Sequence, residues 1–176
     1  MTRQHSHQNI QWRQLRKKIA IALLVVAMGA FSVAPHAQTP PPPYGPAITL
    51  EQAKRAMTAA EAEARKNNWS VAIVIVDSAG QMVMMQRLDN TQYANVGIAD
   101  GKAKTAVNFR RPTKALEDAI AGGGAGLQLL ALEGITPLEG GVLIIAENRI
   151  IGGIGVSGVT STQDAQIANA GIAALK

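Results

Sequence analysis

The stretch VLIIAENRIIGGIGVS, residues 142–157, decides how this 176-residue chain folds. Its apolar, largely β-branched residues run up to Glu147-Asn148 and resume after them, which predicts a hairpin of two strands that turns at those two residues. From Gly153 to Gly158 the second strand also spells G-x-G-x-x-G, the lettering of a dinucleotide-binding loop. The stretch therefore permits either a phosphate site or a strand that is poor in side chains.

The dinucleotide interpretation fails on what surrounds the motif. A dinucleotide loop opens a parallel β-α-β unit and needs a further strand after its helix. Too few residues follow Gly158 to supply that strand. The glycines are instead predicted to lie inside a strand, where missing side chains permit the close approach of a helix, a second subunit or a flat ligand.

An earlier hairpin completes the sheet prediction. The segments SVAIVIVD (70–77) and QMVMMQRL (81–88) are predicted strands joined by a turn at DSAG (77–80). Helices are predicted over 50–67 with Thr49 as cap, over 93–109, over 114–121 with Thr113 as cap, and from about Thr162. LQLLAL (127–132) fits a helical turn or an edge strand. Since hairpins pair antiparallel, we expect an α+β domain with one mostly antiparallel sheet flanked by helices.

The excess positive charge of the chain is confined to its first 37 residues. The chain has 17 Lys+Arg and 12 Asp+Glu, and residues 1–37 hold five of the basic residues and no acidic one. The remainder therefore has 17 − 5 = 12 basic residues against 12 acidic residues, which is net zero. A neutral domain without a basic cluster argues against a nucleic-acid partner.

The same first residues have the pattern of a secretory signal peptide. A basic segment, RQLRKK, precedes the 16-residue uncharged stretch Ile19–Ala34, and small residues lead to a predicted cleavage site after Ala37. An uncleaved membrane anchor is the alternative, but this stretch is shorter than the roughly 20 residues that span a bilayer. We expect a periplasmic or secreted protein that meets the membrane only during export. Residues 38–47 form a proline-rich linker, and 48–176 a single domain.

The mature domain lacks the residues of most catalytic and metal sites. The chain has no cysteine, and its three histidines, His5, His7 and His36, all lie in the predicted signal segment. This excludes disulfides, Ser/His/Asp triads, cysteine nucleophiles and most zinc sites. No catalytic set remains, so the sequence favours a binding protein over an enzyme. The metal candidates are Met82 and Met84, predicted to share one face of their strand, and the phenol of Tyr93.

Four segments together resemble the GlcG/HbpS-like family, also called the haem-degrading domain family. They are ITLEQAKRAMTAAEAEA, VAIVIVDSAGQMVMMQRLD, KAKTAVNFRRPT and GITPLEGGVLIIAENRIIGGIGVSG, and the likeness covers about residues 47–176. The resemblance implies a compact domain with a roughly five-stranded antiparallel sheet, assembly into homo-oligomers, and haem or another tetrapyrrole as a possible ligand. An E-x-x-E iron motif reported for the haem-sensing branch is not reproduced in the first helix, which has Glu51, Glu61 and Glu63.

The resemblance also implies a ligand site. Matching the family's helix-two segment onto KAKTAVNFRRPT (102–113) implies a pocket lined by Lys102, Thr105, Phe109, Arg110 and Thr113, and the glycine strand at Gly153 and Gly155 is expected to form the opposite wall.

Three functions follow from these expectations. The leading one is an exported haem-binding protein that acts as a scavenger or sensor accessory. The first alternative is a protein that binds or metabolises a small organic acid, with Lys102 or Arg110 holding a carboxylate. The second alternative is a ligand-free assembly protein, in which the glycine strand and the methionine strand pack subunits together.

Overall fold

The computed structural model describes residues 40–176, and their elements follow the predicted order of helix, hairpin, helices, hairpin and helix. The predicted signal peptide and its cleavage site lie outside the described residues. The elements are α1 (Leu50–Lys66), β1 (Ala72–Asp77), β2 (Met82–Arg87), α2 (Ala94–Phe109), α3 (Thr113–Ala121), a 3-10 helix (Gly124–Ala131), β3 (Gly141–Ala146), β4 (Arg149–Ser157) and α4 (Ser161–Ala173).

The described residues form one four-stranded sheet with strand order β2-β1-β4-β3, and every neighbouring pair is antiparallel. This confirms the predicted antiparallel sheet. The prediction of about five strands is wrong, because the described residues form four. The ambiguous segment after α3 forms the 3-10 helix instead of an edge strand. Gly123 and Gly124 have positive φ there, and Gly126 packs against the backbone of Ala119, so the chain folds back onto α3.

The β3–β4 hairpin turns where the sequence predicts. Glu147 and Asn148 both have positive φ, at 49° and 57°, which are the angles of a type I′ turn. That turn has the twist of the flanking strands and sets the register in which Ile145 pairs with Ile150. Beyond that pair the register shifts by one residue at Ile151, so that Ile144 pairs with Gly152 and Leu143 with Gly153.

The two faces of the sheet are covered by different helices. α1 and α4 pack on one face, in a cluster that includes Ile73 and Ile75 of β1. α2 packs on the other face, against Ala72, Val74 and Val76. β1 is therefore buried on both faces, as its continuous apolar run predicts.

The proline-rich segment before α1 is hydrogen-bonded to the sheet. It continues the sheet beside β4 at the point where β1 ends, with one bridge between Tyr44 and Ile150. The Ile150 N–H donates to the carbonyl of Pro43 at 2.9 Å, and the Gly45 N–H donates to the carbonyl of Ile150 at 2.8 Å. The middle of the predicted linker is therefore bound to the domain.

The hydrophobic stretch that resembles a signal peptide precedes the described residues. Within residues 40–176, no helix has both the length and the apolar character that a bilayer crossing requires.

Candidate functional site

Two glycines of β4, Gly153 and Gly155, are covered by α2, whereas a Cβ on Gly152 would meet Val76 and Ile48. A Cβ added to Gly155 would lie 2.6 Å from the Ala103 nitrogen, and one added to Gly153 would lie 2.7 Å from Cγ2 of Val107. Both distances are shorter than real side chains allow, so the backbone of β4 touches the helix directly. Of the three neighbours that the sequence allowed, a packed helix is the one present. Gly153 and Gly155 therefore do not form the open pocket wall that the resemblance implied.

Lys102 is buried rather than available to a ligand. Its side chain is 2% exposed, and Nζ donates to Oδ2 of Asp164 at 2.8 Å and to the carbonyl of Val156 at 3.0 Å. Gly140, at φ 121°, leaves the space for this ammonium, since a Cβ there would lie 2.9 Å from Nζ. Burial raises the pKa of Asp164, while the hydrogen bond from Lys102 lowers it. The pair joins α2 to α4 across the end of β4.

Two threonines of the implied pocket are also committed to internal hydrogen bonds. Oγ1 of Thr105 accepts from the Thr136 N–H at 2.8 Å, and Oγ1 of Thr113 accepts from the Gly141 N–H at 2.9 Å. Both threonines are almost fully buried. Thr113 does not cap α3 as predicted, because its hydroxyl turns toward the start of β3. These residues fix the loop before β3 onto α2 and α3.

Solvent reaches the implied pocket only at the C-terminal end of α2. Phe109 and Arg110 are partly exposed, and Arg110 ends the helix in a left-handed conformation with φ 51°. The Arg110 guanidinium lies 5.7 Å from the ring centre of Tyr44. The Tyr44 hydroxyl donates to the carbonyl of Val107 at 2.9 Å. Of the five implied residues, these two remain open to a ligand.

The methionines of β2 do not point as the strict alternation of a strand predicts. Met82 pairs with Val76 and Met84 pairs with Ile75, so Val83 is an extra residue on β2. Because Val76 faces α2 and Ile75 faces α1 and α4, Met82 and Met84 lie on opposite faces. The prediction that they share a face is wrong.

The bulge places a different pair of methionines together. Met85 pairs with Val74, so Met82 and Met85 both lie on the α2 side of the sheet, where they are 48% and 44% exposed. Arg87 follows on the same side, and its guanidinium lies 5.2 Å from the ring centre of Tyr93, which is 85% exposed. We call Met82, Met85, Arg87 and Tyr93 the methionine shelf.

The shelf is open because α2 does not reach β2. The buried residues of α2 cluster with β1, β3 and β4, and no β2 residue belongs to that cluster. At the Met82 end, the β1–β2 turn passes close to α2, where a Cβ on Gly80 would lie 4.0 Å from Cγ of Lys104. Lys104 in turn pairs with Asp100 at 2.6 Å on the flank of the helix. Arg87 is therefore the cation that follows the two thioethers along β2, while the Lys104 ammonium is paired with Asp100.

The family model described as "Haem degrading protein HbpS-like" matches residues 48–173. The chain belongs to the HbpS-like family. Protein GlcG of Escherichia coli strain K12 is 38% identical over 110 residues, which are 62% of this chain and 81% of that protein.

Solved HbpS-like structures share this fold. A double mutant of HbpS from Streptomyces reticuli has 31% identity and a TM-score of 0.70, over 84% of this chain and 98% of that one. A PduOC:haem complex has 28% identity and a TM-score of 0.67, over 73% of this chain and 94% of that one.

Three features of this HbpS-like domain lie beyond the sequence predictions. Asp164 sits in the first turns of α4 with no motif around it, and only the fold brings it to Lys102. Met85 and Arg87 become part of an exposed row through the bulge at Val83, for which the sequence carries no turn or glycine signal. The doublet Gly140-Gly141 belongs to the last of the four family-like segments, and its role in making space for Lys102 and Thr113 is a property of the packing.

Proposed function

We propose that this protein is an exported haem- or tetrapyrrole-binding protein that acts as a scavenger or sensor accessory. The observation that carries the proposal is the fold shared with HbpS and with PduOC, which has been solved as a haem complex. Membership of the HbpS-like family supports the same ligand class. No catalytic set was found in the sequence, and binding without turnover is the activity proposed.

The exposed residues suit a flat, apolar ligand that carries carboxylates. Such a ligand needs an uncovered apolar surface, a cation for each carboxylate and, for an iron centre, a donor atom. The methionine shelf offers thioether sulfurs beside Arg87, and the end of α2 offers Arg110 beside Phe109 and Tyr44. When bound, haem would supply an iron centre that takes ligands, and either of these two surfaces offers residues that would hold its face and its rim.

The organic-acid alternative keeps one of its two cations. It required a free cation at Lys102 or Arg110, and the Lys102 ammonium is neutralised by Asp164 inside the protein, whereas Arg110 is partly exposed. The assembly alternative loses Gly153 and Gly155 as a contact, because α2 of the same chain covers them, and keeps the exposed methionines of β2. Haem binding retains the exposed residues that it needs.

Export and self-assembly are part of the proposal. The basic segment followed by an apolar stretch at the N-terminus supports export to the periplasm or medium. The exposed leucines of the 3-10 helix region, Leu127, Leu130 and Leu132, support a homo-oligomer. A fusion of residues 1–47 to a reporter that is active only after export tests the first point, and light scattering tests the second.

Hemin titration of the protein without residues 1–37 tests the ligand. We expect saturable binding, with a shifted and sharpened Soret band and submicromolar affinity. Metal-free protoporphyrin is the companion probe, because it separates recognition of the macrocycle from ligation of iron. An unshifted Soret band, or affinity no better than that of an unrelated neutral protein of similar size, rules the proposal out.

A further inference from the structure

We propose that the methionine shelf is the iron-ligating surface, with the Met85 thioether as the axial ligand and Arg87 as the partner of a propionate. The inference rests on the proposed haem function and goes further by naming the donor atom. It also moves the site from the C-terminal end of α2, where the family resemblance implied it, to the edge strand β2.

Apart from the methionines of β2 and the exposed phenol of Tyr93, the donors that the sequence suggested are engaged inside the protein. No histidine or cysteine lies within residues 40–176. Lys102 Nζ, Thr105 Oγ1 and Thr113 Oγ1 are buried and hydrogen-bonded inside the protein. The Tyr44 hydroxyl is engaged with the carbonyl of Val107. Thioether sulfur is a recognised axial ligand of haem iron, and two half-exposed thioethers lie side by side on β2.

Met85 occupies the centre of the methionine shelf. On the α2 side of β2 it has Met82 as its neighbour toward the turn and Arg87 as its neighbour toward the end of the strand. Residues two apart on a strand are separated by about 7 Å, so the Arg87 head can reach the rim of a macrocycle centred over Met85. Met82 would then contact the opposite half of the ring.

Two further residues of the methionine shelf suit different parts of the ligand, Arg87 its carboxylates and Tyr93 its flat face. The Arg87 guanidinium is exposed and lies over the Tyr93 ring, which leaves its edge free to pair with a carboxylate. Tyr93 is 85% exposed and can extend the apolar contact beyond the strand. The open face is as wide as β2 because α2 covers only the neighbouring strands.

The experiment compares Met85→Leu with Met84→Leu in the hemin titration. Both changes keep the volume and hydrophobicity of the side chain, so both variants should fold. Met84 is the matched control because it faces α1 and α4 on the other side of the sheet. We expect ferric wild type and Met84→Leu to show the near-infrared charge-transfer band of thioether-ligated haem, and Met85→Leu to lack it and to bind hemin more weakly.

Metal-free protoporphyrin separates the two roles within the shelf. Met85→Leu should bind it as the wild type does, because no iron is present to be ligated. Arg87→Gln should weaken the binding of both hemin and protoporphyrin by about tenfold, the effect of losing one charge-assisted hydrogen bond.

Each failure has a separate signature. If Met85→Leu retains the band and the wild-type affinity, the ligand assignment is overturned while haem binding stands. If Met85→Leu or Arg87→Gln changes the oligomer without hemin and leaves hemin affinity unaltered, the shelf is a subunit contact and the inference is overturned. If wild type does not bind hemin, the proposed function fails first and the inference falls with it.

Discussion

On the α2 side of the sheet, β4 and β2 present opposite kinds of surface. β4 presents glycines, and the helix backbone lies directly on them. β2 presents two half-exposed methionines and an arginine, and no helix covers them. The comparison teaches that one sheet face has two kinds of surface, since its half at β4 is closed by α2 and its half at β2 is left open. Substitutions in the two halves should therefore affect different measurements.

The largest effect is expected from Gly155→Val in the closed half. The added side chain would meet the α2 backbone, which cannot move without unpacking the helix, so we expect a loss of about 4 kcal/mol or more in the free energy of unfolding. Urea unfolding followed by circular dichroism measures it. Gly97→Ala is the control, because no atom lies within 4 Å of the new Cβ and alanine favours the helix. A Gly155→Val protein as stable as wild type would show that α2 does not press on β4.

Lys102→Met should cost about 3–5 kcal/mol, because it leaves the Asp164 carboxylate buried without its cation. Burial raises the pKa of this acid, and without the ammonium it should rise further. A raised folded-state pKa gives stability that is present at low pH and lost as the pH rises through it. The variant should therefore unfold more easily at neutral pH than in mild acid. Adding Asp164→Leu should recover most of the loss, and a double variant no more stable than the single one would contradict this account.

Thr113→Val should cost about 1–3 kcal/mol, since it leaves the buried Gly141 N–H without its acceptor. Thr113→Ser retains the hydroxyl and is the matched control. Thermal unfolding of the three proteins side by side measures the difference. Equal midpoints for valine and threonine would mean that the hydrogen bond contributes nothing to stability.

Met82→Leu and Met85→Leu should each change stability by less than about 1 kcal/mol, because half-exposed methionine replaced by leucine loses little packing. The same denaturant titration is the measurement. A loss as large as that of Gly155→Val would show that the open half is also structural and would remove the contrast between the two strands.

The smallest effect concerns the opposite face of the sheet. The Arg65 hydrogen bond and then that of Gln86 hold the pKa of Glu61 below its ordinary value. The ionised Glu61 therefore adds to the free energy of unfolding above the unfolded pKa of about 4.3, and this stabilisation is lost as the pH falls through the pKa of the folded state. Glu61→Gln should reduce, by less than about 1 kcal/mol, the loss of unfolding free energy that acidification causes. Urea unfolding at several acidic pH values measures it, and an unchanged pH dependence would show that Glu61 does not contribute.

The sequence predicts most of the fold because its signals are local. The I′ turn at Glu147-Asn148, the capping box of Thr49 and the doubly buried run of β1 each involve residues close together in the chain. The open half of the site could not be predicted, because a single extra residue at Val83 inverts the direction of every side chain before it.

The closed half of the site was mispredicted for the opposite reason. A lysine and two threonines in the segment KAKTAVNFRRPT resemble ligand contacts when their partners are unknown. Those partners lie far away in the chain, with Asp164 at a separation of 62 residues from Lys102 and Gly141 at 28 from Thr113. Only the folded backbone shows that these polar groups are already satisfied.

The hydrogen-bonded segment before α1 bears on where this protein can be cut. The family match begins at residue 48, yet Pro43 and Gly45 already exchange backbone hydrogen bonds with Ile150. Limited proteolysis should therefore leave a resistant fragment whose N-terminus lies before Pro43. Trimming to the family boundary would expose the backbone of Ile150 and remove the tyrosine that braces the end of α2. A shortened protein that loses stability would then report an unpaired sheet edge, with every helix still present.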